Sequence, residues 1–328
     1  MGTVLVTGGL GFIGRRVVPL LASEGWDVTV LHRPDRDGRP GDADARTLAV
    51  DLHDARRLDE VMAGADLVVH LAARSGGIQF QEAFEADVFF DNQRITRNLL
   101  ESARRAGVRR VFVASSAVVY AGEGDRELTE DSPCVTPFRD RVSGYAWSKL
   151  TDETLAAWFA AVGAFEVVVG RFTSLYGPGG SFDPARSTVV HALVRKAVEA
   201  GPGGTLQVWG KGDAVRSFLH VEDAARAVAD ILLRGRDGEA YNVDSSEPVT
   251  IRRLAELVRD AVDPTVTLTF DDRRPEGTPH RVLDTTRLRT LGFTPRIALA
   301  AGIAATAADY RLTTLRSGEA TKYQSSKP

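Results

Sequence analysis

The feature that most constrains this chain is TGGLGFIG, Thr7–Gly14. It lies between a β-branched run at Thr3–Val6 and a helical pattern over Phe12–Glu24. In a strand–turn–helix unit, Gly8 allows the tight turn, Gly11 lets a ligand approach the backbone, and Gly14 lets helix and strand pack closely. The helix N-terminus then offers unpaired N–H groups and the positive end of its dipole to a diphosphate. Glycine spacing alone is a weak signal; the flanking strand and helix give it meaning. The segment reads as a dinucleotide-binding loop in which Gly8, Gly11, Phe12, Ile13 and Gly14 surround the pyrophosphate.

The following residues keep the same rhythm. Strand-like runs at Asp27–Leu31, Thr47–Val50, Leu67–Leu71, Val111–Ala114 and Phe165–Val169 alternate with helical patterns. Those patterns lie at Leu58–Ala63, Ala86–Ala106 and Tyr145–Val162. Strands separated by helices favour parallel pairing, because each crossover must pass over a face of the sheet. The expected fold class is α/β: a Rossmann doubly wound parallel sheet with a smaller C-terminal α/β substrate lobe. Residues 1–170 form the dinucleotide-binding part, and 217–245 rejoin it through a strand at Ala240–Val243. The lobe takes 171–216 and 246–316, with a loop over the site at Tyr176–Pro184. Within it, Val189–Ala200 and Ile251–Val262 read as helices, and Leu206–Trp209 and Val266–Phe270 as strands. Residues 317–328 are polar and expected to be disordered.

Composition narrows the partners. A net charge of −3 over 328 residues gives no general attraction to nucleic acid or to an anionic membrane. The single cysteine, Cys134, excludes an internal disulfide and a cysteine-rich metal site, and no metal is expected. No apolar run approaches the ~20 residues of a membrane helix. Met1 leads directly into TVLVTGG, without the basic segment and apolar core of a secretory signal, so a cytoplasmic protein is expected.

Ribose selection departs from the usual pattern. An acidic residue often ends the second strand and binds the adenosine ribose 2′-OH. Here that end reads VLHRP, with His32 at the acidic position and Arg33 beside it. Basic side chains there favour a 2′-phosphate, so NADP is expected ahead of NAD. The alternative leaves both in solvent, with NAD held by other contacts. Asp51 and Leu52 follow the third strand; Asp51 either bonds the adenine amino group or caps a turn.

The reacting groups are read from YAWSK, Tyr145–Lys149. An i, i+4 spacing puts the phenol and the ammonium on one helix face. A nearby positive charge favours the phenolate, which suits Tyr145 to acid/base work between a carbinol and a carbonyl. Ser115 and Ser116, in VFVASSAVVY, lie at the carboxyl end of a strand, where open α/β sheets bind ligands.

TGGLGFIG, HLAA at His70–Ala73, SSAVVY, YAWSK, RFTSLYGPGG and RSFLHVED together resemble the extended short-chain dehydrogenase/reductases that act on nucleotide sugars. The resemblance runs from about Thr3 to Phe293. It implies a triad of Ser116, Tyr145 and Lys149, with Leu71, Ala72 and Ala73 beside the cofactor. Asn92 matches a position that supports the active site, and His70 packs at a strand end. Arg216, and with it Arg186, would clamp a diphosphate. Ser174 replaces an asparagine common before the YGP element. Ser75, Gly76 and Gly77, in SGGI, resemble the GDP-fucose synthase and GDP-mannose 3,5-epimerase branch and point to a GDP-sugar. The helices over Ala86–Ala106 and Tyr145–Val162 resemble those that pair this family into homodimers, although core burial would give the same pattern.

Departures from the family narrow the reaction. Ala117 and Val118 stand where 4,6-dehydratases carry an acidic pair. Val118 also stands where 3,5-epimerising enzymes carry a cysteine, and Thr188 falls at their histidine position, with His191 three residues on. Dehydration and 3,5-epimerisation are disfavoured. The reading placed first is a C4 epimerase working through a transient keto-sugar, because RFTSLYGP and RSFLHVED look most like epimerases. The second is an NADPH-dependent 4-ketoreductase, toward which His32–Arg33 pulls. The third is a redox-inert scaffold, and the retained Tyr145 and Lys149 argue against it.

Overall fold

The computed structural model describes residues 2–35, 45–76, 80, 83–121, 126–135, 143–274 and 278–325. Its first half alternates β1 (Thr3–Thr7), α1 (Gly14–Ser23), β2 (Asp27–His32), β3 (Arg46–Ala49), α2 (Ala55–Met62), β4 (Leu67–His70), α3 (Glu85–Ala106), β5 (Arg110–Ser116), α4 (Gly144–Ala161) and β6 (Glu166–Phe172). Then follow β7 (Ser174–Tyr176), α5 (Val189–Ala200), β8 (Thr205–Trp209), β9 (Val215–Arg216), β10 (Phe218–His220), α6 (Val221–Arg234) and β11 (Glu239–Val243). The chain closes with β12 (Val249–Thr250), α7 (Ile251–Val262), β13 (Thr267–Asp271), β14 (His280–Arg281), α8 (Thr286–Arg289) and α9 (Leu299–Ser325).

The seven-stranded sheet has the order β11-β6-β5-β4-β1-β2-β3, with every pair parallel. Side-chain alternation along its strands builds two cores. Val4 and Val6 of β1, with Leu67 and Val69 of β4, pack under α1 and α6. Leu5 and Val68, between them, pack under α2, α3 and α4. Continuous apolar runs are what strands buried on both faces require. β11 completes the edge beside β6. Strand order reverses about β1 and β4, so the loops leaving their carboxyl ends face each other across a crevice.

A third core, under α5, α7, α9, β8 and β13, belongs to the smaller lobe. Helices α5 and α7 have the boundaries read from the sequence. The two- and three-residue strands β7, β9, β10, β12 and β14 are additions, too short for any periodicity to mark. The end of the chain corrects an expectation: α9 continues to Ser325 across most of the segment expected to be disordered. Leu299, Ile303 and Ala307 anchor its start in the third core. The sequence beyond has no proline up to Ser325, so nothing in it removes a backbone N–H and the helix propagates once nucleated.

Candidate active site

Gly8 adopts φ +69°, and a Cβ there would meet the Ala72 nitrogen at 2.8 Å. The turn after β1 therefore lies directly against the loop after β4. A Cβ on Gly14 would come within 2.3 Å of the Gly8 carbonyl oxygen, which fixes Gly14 as the helix–strand contact. Gly9, not assigned a role from the sequence, is needed too: a Cβ there would lie 2.6 Å from Val30 of β2. The Gly11 N–H donates to Gly8 O at 2.8 Å and closes the turn. Among the described residues no side chain caps α1, and its first turn holds no acidic residue. Phe12, Ile13 and Gly14 thus begin a helix whose first N–H groups suit an anion, so the loop fits the pyrophosphate of a dinucleotide.

At the adenosine end, His32 closes β2 and its Nδ1 lies 2.9 Å from Arg33 O. Arg33 forms an exposed ion pair with Asp35 at 3.3 Å. Asp51 accepts from the His53 N–H at 3.0 Å, and its Oδ1 lies 2.9 Å from the His53 ring. Those contacts hold its carboxyl below the usual range and correspond to the turn-capping role. Leu52 beside it is buried.

After β4 come Leu71, Ala72, Ala73, the exposed Ser75, and Gly76; Gly77, and Ile78 of the same motif, lie outside the described residues. Buried Asn92 of α3 pins this loop. Its Oδ1 accepts from the Arg74 N–H at 2.7 Å, and its Nδ2 donates to Arg74 O and to Ser148 Oγ, both at 3.1 Å. Ser148 Oγ in turn donates to Tyr145 O at 2.8 Å. One residue thus ties the β4 loop to the helix carrying Tyr145 and Lys149.

Strand alternation separates the two serines of β5. Ser115 is buried and donates to Glu153 of α4, whereas half-buried Ser116 turns to the other face. Ser116 Oγ accepts from the Val118 N–H at 3.4 Å at the start of a short 3₁₀ turn, Ala117–Val119. Lys149 reaches this strand end and donates from Nζ to Ala114 O at 2.9 Å. The same nitrogen lies 3.3 Å from Asp152 and 6.0 Å from the centroid of the Tyr145 ring. Burial works against its charge, but the Asp152 carboxylate and the neighbouring Tyr145 outweigh it, so Lys149 is held above the ordinary lysine value. His70 is buried between Thr7 Oγ1 at 2.8 Å and Thr96 Oγ1 at 3.1 Å. Burial, reinforced by Lys149, lowers its pKa to about 3. A neutral His70 packed at a strand end is what its position implied.

The packing around Ser115 includes residues with no sequence signature. Arg171 of β6 grips Glu153, with Nη2 to Oε2 at 2.7 Å and Nε to both oxygens at 3.1 and 3.2 Å. It also donates to Tyr120 Oη at 3.0 Å, and Tyr120 donates to Asn242 of β11 at 2.6 Å. Burial first, moderated by Arg171, pushes the Tyr120 phenol up to about 12. This network locks β5, β6, β11 and α4 together around Ser115.

In the lobe, Ser174 is exposed on β7, and Arg186 lies on an exposed turn before α5. Arg216 on β9 is half-buried, with Nη1 donating to Val215 O at 2.8 Å and Nη2 to Thr278 O. Its register partner on β14 is a second arginine, Arg281, whose burial disfavours its charge. Sequence reading missed Arg281, because only strand pairing brings it beside Arg216. Thr188 precedes α5 and lies 2.9 Å from His191 Nδ1, while His191 Nε2 lies 3.0 Å from Gly177 O. His191 is buried and committed at both ring nitrogens, so it holds the loop rather than facing a ligand.

The chain matches the NAD dependent epimerase/dehydratase family over residues 4–244. It is 35% identical to a dTDP-4-dehydro-6-deoxy-D-allose reductase from a Streptomyces species, covering 94% of this chain and 96% of that one. It is 36% identical to a putative GDP-L-fucose synthase 2 of Oryza sativa subsp. japonica, over 72% of this chain and 69% of the other. Among solved structures, a dTDP-glucose 4,6-dehydratase from Streptomyces venezuelae with NAD bound superposes with a TM-score of 0.79 at 30% identity, covering 94% of this chain and 97% of that one. The crevice at the strand-order reversal, the glycine loop and these matches lead to one assignment: the chain belongs to the NAD dependent epimerase/dehydratase family, the extended short-chain dehydrogenase/reductases.

Proposed function

We propose that this protein is an NADPH-dependent reductase of a nucleoside diphosphate-linked 4-keto sugar. The observation that carries the proposal is the 35% identity, over nearly the whole of both chains, to a protein named as a reductase of a 4-dehydro sugar. The order of the two enzymatic readings is thereby reversed. RFTSLYGP and RSFLHVED form β7 with its loop and β9–β10 with the start of α6, a framework that relatives with other names share. They do not single out epimerases.

The site geometry supports a reaction needing one proton donor. Ala117 and Val118, in the 3₁₀ turn after β5, carry apolar side chains, and His191 is tied to Thr188 and Gly177. Bound NADPH supplies the hydride. Tyr145 gives the carbonyl oxygen its proton, so carbonyl, hydride and proton together make the alcohol. Lys149, charged and anchored on Ala114 O, stabilises the phenolate left behind. Ser116 donates a hydrogen bond to the same substrate oxygen, and Asn92 keeps the β4 loop in register with the Tyr145 helix. Arg216, with Arg186, binds the diphosphate, and Ser75, Gly76, Gly77 and Ser174 line the sugar. Gly8 to Gly14 and Leu71 to Ala73 hold the cofactor, with His32 and Arg33 at a 2′-phosphate and the turn capped by Asp51, with Leu52, at the adenosine end.

Both dTDP and GDP appear in the names of similar proteins, and SGGI favours GDP. A homodimer through α3 and α4 is part of the proposal. These helices expose Phe90 at 67%, Trp158 at 65% and, just beyond α4, Val162 at 77%, large apolar side chains that a second copy would cover. Among the described residues, no helix is long and apolar enough to cross a membrane.

The test is NADPH oxidation with dTDP- and GDP-linked 4-keto sugars, with products identified by NMR. One NADPH consumed per alcohol formed is expected, and Tyr145→Phe should abolish turnover while leaving NADPH binding intact. Turnover of a 4-hydroxy sugar with no added nucleotide would return the assignment to an epimerase.

A further inference from the structure

Asp152 is a fully buried carboxylate on α4, one turn beyond Lys149, and the reduction described above gives it no part. Its surroundings consist of donors. Lys149 Nζ lies 3.3 Å from Oδ2, Gln93 Nε2 of α3 donates to Oδ1 at 3.1 Å, and the Thr96 hydroxyl also bonds it. An ionised carboxylate accepts only, which matches this set of donors.

The donor and acceptor directions follow outward from that carboxylate. Thr96 gives its proton to Asp152, so its oxygen accepts at 3.1 Å from His70 Nε2–H. Nδ1 of the neutral imidazole is then an acceptor and takes the Thr7 hydroxyl proton at 2.8 Å. Thr7 Oγ1 accepts in turn from the Ala72 N–H at 3.3 Å. Every hydroxyl donates once and accepts once, and the order fixes the His70 tautomer. The chain runs Ala72, Thr7, His70, Thr96, Asp152, Lys149. It begins where the β4 loop meets the glycine turn and ends on the lysine.

We propose that Asp152 is a positioning residue for Lys149, the counter-ion that keeps the ammonium charged and aimed at the end of β5, and that Thr7, His70 and Thr96 couple this pair to the cofactor loop. The catalytic part of this inference rests on the role given to Tyr145 and Lys149 above; the electrostatic part does not. The charged and titratable groups facing Lys149 are Tyr145, Asp152 and Glu153 from α4 and His70 from β4. Glu153 is spent on Arg171 of β6, and His70 is neutral, so Asp152 is the countercharge in contact. A buried lysine deprived of its anion loses its proton more readily, because desolvation then acts unopposed.

The experiment follows the Lys149 ¹³Cε resonance of the free enzyme through a pH titration, with the signal assigned by Lys149→Met. In the parent, Lys149 should stay charged through the working range. In Asp152→Asn, its midpoint should fall by at least ~1 unit, a tenfold change in the protonation ratio. Thr96→Val should move it the same way by less. With substrate, Asp152→Asn should shift the alkaline fall of kcat to lower pH by the same amount and leave the sugar KM unchanged. An unshifted Lys149 midpoint in folded Asp152→Asn overturns the proposal, whatever the activity. A shifted midpoint with no matching change in kcat upholds the ion pair and instead refutes the catalytic role given to the lysine.

Discussion

Replacing Glu153 by Gln tests what the buried ion pair beside Ser115 contributes. Glu153 and Arg171 are each 8% exposed, and three guanidinium contacts of 2.7–3.2 Å join them. Ser115 donates a further hydrogen bond to the same carboxylate. Glutamine keeps the shape but leaves the Arg171 charge in the interior without its anion. Breaking a buried pair from one side costs about 3–5 kcal/mol, since the remaining ion has already lost its water. Arg171 keeps neutral partners in Tyr120 Oη at 3.0 Å and Glu130 O at 2.9 Å, which places the expected loss at the lower end, about 3 kcal/mol. Urea unfolding of parent and variant, followed by tryptophan fluorescence, reads the loss as a drop in midpoint at unchanged slope. The double exchange Glu153→Leu with Arg171→Met should recover most of it, because well-packed apolar residues replace such pairs at little cost. A single variant within about 1 kcal/mol of the parent would refute the reasoning.

Three further outcomes are expected. His70 ionises at about 3 in the fold against 6.5 when free. Its depressed value means the associated stability is complete above 6.5 and is lost as pH falls toward 3. About 2 kcal/mol should be gone at pH 5, and His70→Asn should lose correspondingly less between pH 7 and 5 in denaturant titrations. Gly14→Ala forces a Cβ to within 2.3 Å of Gly8 O, so NADPH affinity measured by fluorescence should fall at least ~10-fold; an unchanged Kd would exclude the loop as the pyrophosphate site. Trp158→Glu places a charge on the exposed apolar face of α4 and should halve the mass seen by sedimentation equilibrium; an unaltered mass would move the dimer interface elsewhere or remove it.

The candidate site was legible in part, and the division has a physical basis. Thr7–Gly14 could be read because a glycine turn between strand and helix is a local backbone event, and Gly8 and Gly14 sit where that reading requires. Tyr145 and Lys149 could be paired because helical spacing alone puts them on one face. The choice of Ser116 over Ser115 came from the family resemblance. The structure adds that the Ser115 hydroxyl is turned toward Glu153. The polar tail misled because polarity signals exposure rather than the absence of a helix, and α9 is anchored upstream of it by Leu299, Ile303 and Ala307.

The sequence by itself determined the class of fold, the cofactor loop and the tyrosine–lysine face, since each follows from periodicity or from a turn only a few residues long. Tertiary structure alone decided which distant groups meet. Strand order joins Thr7 to His70, 63 residues apart, and strand pairing sets Arg281 beside Arg216. Packing of α3 on α4 delivers Gln93 and Thr96 to Asp152. Burial then gives those meetings their force. Out of water, a lysine beside a carboxylate holds its charge, and a histidine between two hydroxyls stays neutral.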